Sequence, residues 1–102
     1  MILTVFRSRV KPELLPEYME WVKRMGELAR TMPGFISHKG FFADDGERVT
    51  IVEFESEEAQ KAWARHPEHV QAQKKGRKDF YLEYSVQVGT VQRETRFPKE
   101  RP

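Results

Sequence analysis

Three histidines, two tryptophans and one short run, His66-Pro67-Glu68-His69, are the residues of this 102-residue chain best suited to chemistry. The run lies between Trp63 and the basic cluster Lys74-Lys75-Gly76-Arg77-Lys78. Three readings compete for it. In the first it is only a helix restart. A residue before proline is biased away from helical angles, proline suits the first helical position, and a glutamate there meets the positive helix pole. In the second it is half of a metal site. His66 and His69 are three apart and can share a helix face. However, the chain has no cysteine, His38 is the only further histidine, and the four-residue spacing of the zinc-protease motif is absent. We therefore expect no metal. In the third, one of His66, His69 or His38 faces a pocket as an acid or base. An imidazole titrates near neutrality and can take a proton from a phenol or quinol.

A proton acceptor of this kind needs walls and a counter-charge. Trp21, Trp63 and Tyr84 can supply flat apolar walls, and Arg7 or Arg77 can stabilise an anion. Each also has a plainer role open to it. Both tryptophans and Tyr84 fall at core spacing, Arg7 can point to solvent, and the Lys74–Lys78 cations suit a helix C-terminus.

The elements that must hold these side chains are legible from periodicity. Residues 2–10 read as a strand that is apolar on both faces in its first half. Residues 13–32 read as an amphipathic helix stopped by Met32-Pro33-Gly34. Two strands, 35–42 and 48–54, flank Ala43-Asp44-Asp45-Gly46, a hairpin signal. A second helix starts at a capping Ser56, is interrupted at Pro67, and resumes to end near Lys75 at Gly76. A last strand covers 80–93, with a β-bulge expected at Gly89 where the alternation breaks. The order β-α-β-β-α-β predicts an α+β, ferredoxin-like fold: a four-stranded antiparallel sheet with the helices on one face. Val5, Phe41, Phe42, Val49, Ile51, Val86 and Val88 then suggest an apolar face without helices. Hence we expect a homodimer joined sheet to sheet.

At this length the chain is one domain, here residues 1–94, followed by a polar tail, 95–102. The charge is +2, from 18 basic and 16 acidic residues of interspersed sign, which does not describe a nucleic-acid footprint. The first apolar run is too short for a signal peptide or a membrane span, so no membrane partner and a cytoplasmic location are expected.

Met32-Pro-Gly-Phe35, the hairpin into Val52-Glu-Phe-Glu-Ser56, the Glu58-Ala-x-x-Ala62-Trp63 helix and the run HPEHVQAQKKGRKDFY together resemble the antibiotic biosynthesis monooxygenase family of dimeric α/β-barrel proteins. The resemblance spans residues 2 to about 94. It implies a cofactor-free monooxygenase acting on a small aromatic or quinol substrate. Alternatives are a haem-binding or haem-degrading protein, a non-catalytic dimer that binds a small ligand, and a relative in fold alone with an unrelated reaction. Haem-degrading members carry an Asn on the first strand, a Trp on the second helix and an iron-ligating His ten positions later. Here Trp63 matches, Gln73 stands where the His would be, Arg7 falls near the Asn position, and the chain has no asparagine. The resemblance thus disfavours haem and leaves Gln73 as a substrate-contact candidate.

Overall fold

The computed structural model describes residues 1–98. Its strands are β1 (Ile2–Val10), β2 (Phe35–Phe42), β3 (Arg48–Phe54) and β4 (Tyr81–Thr90). Its helices are α1 (Leu15–Ala29), α2 (Glu57–Arg65) and α3 (Pro67–Lys75). The sheet order is β2-β3-β1-β4 and every pairing is antiparallel, as the ferredoxin-like pattern requires.

Local sequence explains the joints. Pro12 opens a 3-10 turn, Pro12–Leu14, before α1, so the helix starts at Leu15 and Pro16 falls in its first turn. It ends at Ala29, earlier than the apolar periodicity extends. Thr31 and Met32 then fold back on the carbonyls of Leu28 and Ala29 ahead of Pro33. Gly34 has φ +80°, and a Cβ there would stand 2.7 Å from the Cβ of Ala59. The corner therefore needs glycine both for its left-handed backbone and for the approach of α2. Gly46, at φ +90°, turns the β2–β3 hairpin. Ser56 caps α2, its hydroxyl accepting the Ala59 N–H at 3.1 Å.

Three expectations are corrected. Gly76 does not stop the third helix. Its backbone is right-handed, and the chain continues through a wide π-helical turn, Gly76–Phe80. The space a Cβ would fill at Gly76 is taken by the Tyr81 ring, which accounts for glycine there. The irregularity in β4 is also not at Gly89, which pairs regularly with Leu3. It lies where Arg9 faces Glu83 and Val10 faces Tyr81, leaving Leu82 unpaired. Finally, β4 ends at Thr90. Of the expected tail, residues 95–98 continue without helix or strand, and 99–102 lie outside the described residues.

The registers sort the two sheet faces. Thr4, Phe6 and Ser8 share one face with Arg48, Thr50, Val52 and Phe54, with His38, Gly40 and Phe42, and with Tyr84, Val86 and Val88. The helices pack on this side, around a core of Met25, Ala29, Val52, Phe54 and Trp63. Phe42, Val86 and Val88 therefore belong to the helix side, not to the open face. The apolar centre of the open face is Leu3, Val5, Val49, Ile51 and Phe41. No helix among the described residues is long and apolar enough to cross a membrane.

Candidate functional site

Between the sheet and the helices lies a cavity of about 390 Å³. Trp21 and Met25 of α1, Trp63 of α2, and His69 and Gln73 of α3 form its helical wall. Phe6, His38, Thr50, Tyr84 and Val86 form its sheet wall, while Arg77, Phe80 and Tyr81 close one end from the π-helical turn and the strand after it. Of the nine residues singled out in the sequence, His38, His69, Trp21, Trp63, Gln73, Arg77 and Tyr84 line this cavity.

Arg7 and His66 do not. Arg7 is on the open face of β1, where its guanidinium donates to both carboxylate oxygens of Glu47 at 2.8 and 3.2 Å. Strand alternation gives the reason, since Arg7 is out of phase with Phe6. His66 sits between α2 and α3. Its Nδ1 accepts the Glu68 N–H at 3.2 Å, which caps α3.

The four residues of the run thus divide the work. His66 caps and Pro67 opens the helix. Glu68 accepts two hydrogen bonds from Arg24 of α1, at 2.9 and 3.0 Å, which ties α3 to α1. His69 then turns inward. Its ring stacks on the Trp63 indole, with centroids 4.1 Å apart and planes 12° from parallel. Its Nδ1 is 3.0 Å from the Trp63 carbonyl oxygen, so Nδ1 carries the proton and donates. The amide nitrogen of Gln73 lies 3.4 Å from the same Nδ1, but two donors cannot bond each other. The Gln73 amide donates instead to the Ala64 carbonyl at 3.2 Å. This tautomer leaves Nε2 of His69 with a bare lone pair.

Burial is the main reason that both cavity histidines titrate below the ordinary imidazole value. For His69, burial outweighs the Trp63 carbonyl, which favours the charged ring. For His38, burial is reinforced by the positive charges of Arg30 and Arg48. Tyr81 is shifted the opposite way, far above an ordinary tyrosine, again mainly by burial. Its hydroxyl is 3.5 Å from that of Tyr18. The site therefore offers neutral imidazoles as proton acceptors and a phenol that stays protonated as a donor.

The donor set of the cavity bears on metal and haem chemistry. Among the described residues no group of three or more His, Asp or Glu is placed to hold a metal ion. Gln73 occupies the position that supplies an iron-ligating His in haem-degrading members, and its amide is engaged with Ala64. A carboxamide is not among the axial ligands that hold haem iron, so this position does not fit that group.

Sequence reasoning missed Phe6, Tyr18, Phe80 and Tyr81 as cavity walls. The Leu82 bulge explains Tyr81: it lets residues three apart, Tyr81 and Tyr84, line the same cavity. Arg48 and Ser8, buried on the helix-covered face of the sheet but not among the cavity walls, were also missed. The period-two pattern of β3 held the clue, because Arg48 is in phase with Thr50, Val52 and Phe54.

An antiparallel sheet covered on one face by helices, with an aromatic cavity holding two imidazoles between the layers, defines the class of fold. Residues 1–75 match the family model for antibiotic biosynthesis monooxygenase, and the chain belongs to that family. It is 37% identical over 93 residues to the protein YqjZ of Bacillus subtilis, covering 91% of this chain and 82% of that one. Among solved structures it resembles Rv0793 of Mycobacterium tuberculosis, with a TM-score of 0.84 and 17% identity over 93% of this chain and 98% of the other. It also resembles SnoaB, a cofactor-independent oxygenase of Streptomyces nogalater, with a TM-score of 0.78 and 17% identity over 91% and 94% of the two chains.

Proposed function

We propose that the protein is a cofactor-free monooxygenase of a small aromatic or quinol substrate, with His69 as the base. The observation that carries this reading is the His69 tautomer. Nδ1 is committed to the Trp63 carbonyl and the ring is braced flat on the indole, so Nε2 is an oriented, neutral acceptor in an aromatic cavity. Family membership and the fold shared with a cofactor-independent oxygenase support the same reaction class.

In this reading Trp21, Trp63 and Tyr84 sandwich the flat substrate and exclude water. His69 removes a hydroxyl proton. The resulting anion is electron-rich enough to pass an electron to dioxygen, and Arg77 stabilises the negative charge while it persists. His38, on the opposite wall, is the second imidazole within reach of the substrate, and Gln73 contacts its edge. We infer that the working unit is a homodimer joined through the open sheet face, where Leu3, Val5, Val49 and Ile51 form an apolar centre flanked by the Arg7–Glu47 pair.

Oxygen uptake with a naphthoquinol, above the protein-free rate, tests the reaction. His69→Ala should lower kcat/KM by about 10² to 10⁴, the usual contribution of a positioned base. His66→Ala should leave it within a few-fold. Equal loss in both variants, or none in either, would remove His69 from the role.

A further inference from the structure

Tyr18 of α1 is 5% exposed and Tyr81 of β4 is half-buried, and both line the cavity. Buried phenol hydroxyls ordinarily find a partner, at about 2.7–2.8 Å. These two do not. Among the described residues the one polar contact of either hydroxyl is the other, at 3.5 Å. That is the outer limit of a hydrogen bond, so two phenols in an aromatic cavity are left nearly unsatisfied.

Packing holds the two rings at this separation. Tyr18 stands edge-on to Phe80, with centroids 5.6 Å apart and planes at 71°, and edge-on to Tyr81 at 5.7 Å and 74°. Tyr81 is wedged between Phe6 and Tyr84, each with its ring centroid 5.4 Å away. Its ring also occupies the space of the missing Gly76 side chain, where a Cβ would fall 2.3 Å from Cε2. A gap of 3.5 Å suits a third atom better than it suits the pair. An oxygen set between the hydroxyls accepts from both at about 2.8 Å, the normal length for an O–H donor.

We propose that the Tyr18 and Tyr81 hydroxyls clamp one accepting oxygen of the aromatic ligand, a carbonyl on its ring system. Two converging neutral donors recognise such an oxygen and reject a methylene in its place, which would leave both phenols unpaired. The clamp deepens the aromatic-substrate reading above and rests on it for the nature of the ring. It also serves the proton transfer. When His69 takes the hydroxyl proton of a ligand whose carbonyl is conjugated with that hydroxyl, negative charge spreads onto the clamped oxygen. Both hydrogen bonds then strengthen, as donors to a developing oxyanion do. Burial keeps the Tyr81 proton in place throughout. Arg77, in the turn just before Tyr81, lines the same cavity and adds its charge to the neutral clamp.

Calorimetric titration with 1-tetralone and with tetralin, the same ring system without the carbonyl oxygen, tests the clamp without turnover. Tyr18→Phe and Tyr81→Phe each remove one hydroxyl and keep the ring that packs. Each should weaken 1-tetralone about threefold to tenfold, the usual worth of one neutral hydrogen bond, and leave any binding of tetralin within about twofold. The infrared C=O stretch of bound 1-tetralone should lie lower in the native protein than in either variant. The proposal is overturned if the native protein binds no 1-tetralone, if either variant binds it as tightly as the native protein does, or if tetralin weakens in step with it. A stretch that is the same in all three proteins overturns it as well, since the carbonyl would then lie away from both hydroxyls. A protein that passes these tests but takes up no oxygen keeps the clamp and loses only the oxygenase reading, so the two fail separately.

Discussion

His69 and His66, three residues apart, are held in opposite tautomers. His69 donates from Nδ1 to a carbonyl and His66 accepts at Nδ1 from an amide. The backbone sets both, and so decides which imidazole presents a lone pair to the cavity. This has a measurable consequence in the pH dependence. A base works only when neutral, and burial holds His69 and His38 below the ordinary value of 6.5. The acid limb of kcat/KM should therefore lie below 6.5, where a free imidazole would already be half protonated. The same shift bears on stability. As pH falls the unfolded chain binds these protons first, so stability present above 6.5 is lost as pH drops through 6.5 toward the folded values. A kcat/KM profile flat to below pH 6.5 beside a melting temperature that already falls there would match both signs. An acid limb above 6.5 would contradict the buried-base assignment.

At the scale of elements, the sequence reads well wherever one period governs. The hairpin, the Ser56 cap and the break at Pro67 all stand where local chemistry puts them. Legibility fails where tertiary packing overrides a local signal. Gly76 looks like a helix stop, yet it is kept small by the Tyr81 ring and stays right-handed. Gly89 looks like a bulge, yet the bulge is at Leu82, where the sequence gives no glycine to mark it. The site inherits the same limit. Strand phase separates Arg7 from Phe6 once the faces are known, but periodicity alone does not say which face the helices cover. Ser56 offers a direct test of a local signal that did hold. Ser56→Ala removes the hydroxyl that accepts the Ala59 N–H and should cost about 1 kcal/mol in chemical denaturation. A loss near zero would mean that packing of Trp63, not the cap, fixes the start of α2.

The whole molecule sets helices against one sheet face and leaves the other with an apolar centre. Leu3 and Val5 from β1 adjoin Val49 and Ile51 from β3, with Phe41 of β2 beside them, 46% exposed. Charges stand around and beside this centre: Arg7 pairs with Glu47, Arg9 with Asp45 and Glu83, and Lys39 lies over the Phe41 ring. An apolar centre with a charged rim is the anatomy of a protein interface, and a second copy offers the same surface in complementary orientation under two-fold symmetry. Ile51 lies in mid-strand on this face, opposite Val5 on one side and Lys39 on the other. In the proposed sheet-to-sheet dimer a lysine there would add a second positive charge beside Lys39 on the shared face of each copy without disturbing the helix-side core. Ile51→Lys should therefore sediment as a folded monomer at concentrations where the native protein is a dimer. The cavity residues described above lie on the other face of the sheet, so the variant should still take up oxygen with the naphthoquinol. A native protein that sediments as a monomer at micromolar concentration would defeat the dimer. An Ile51→Lys dimer would place the interface on some other surface.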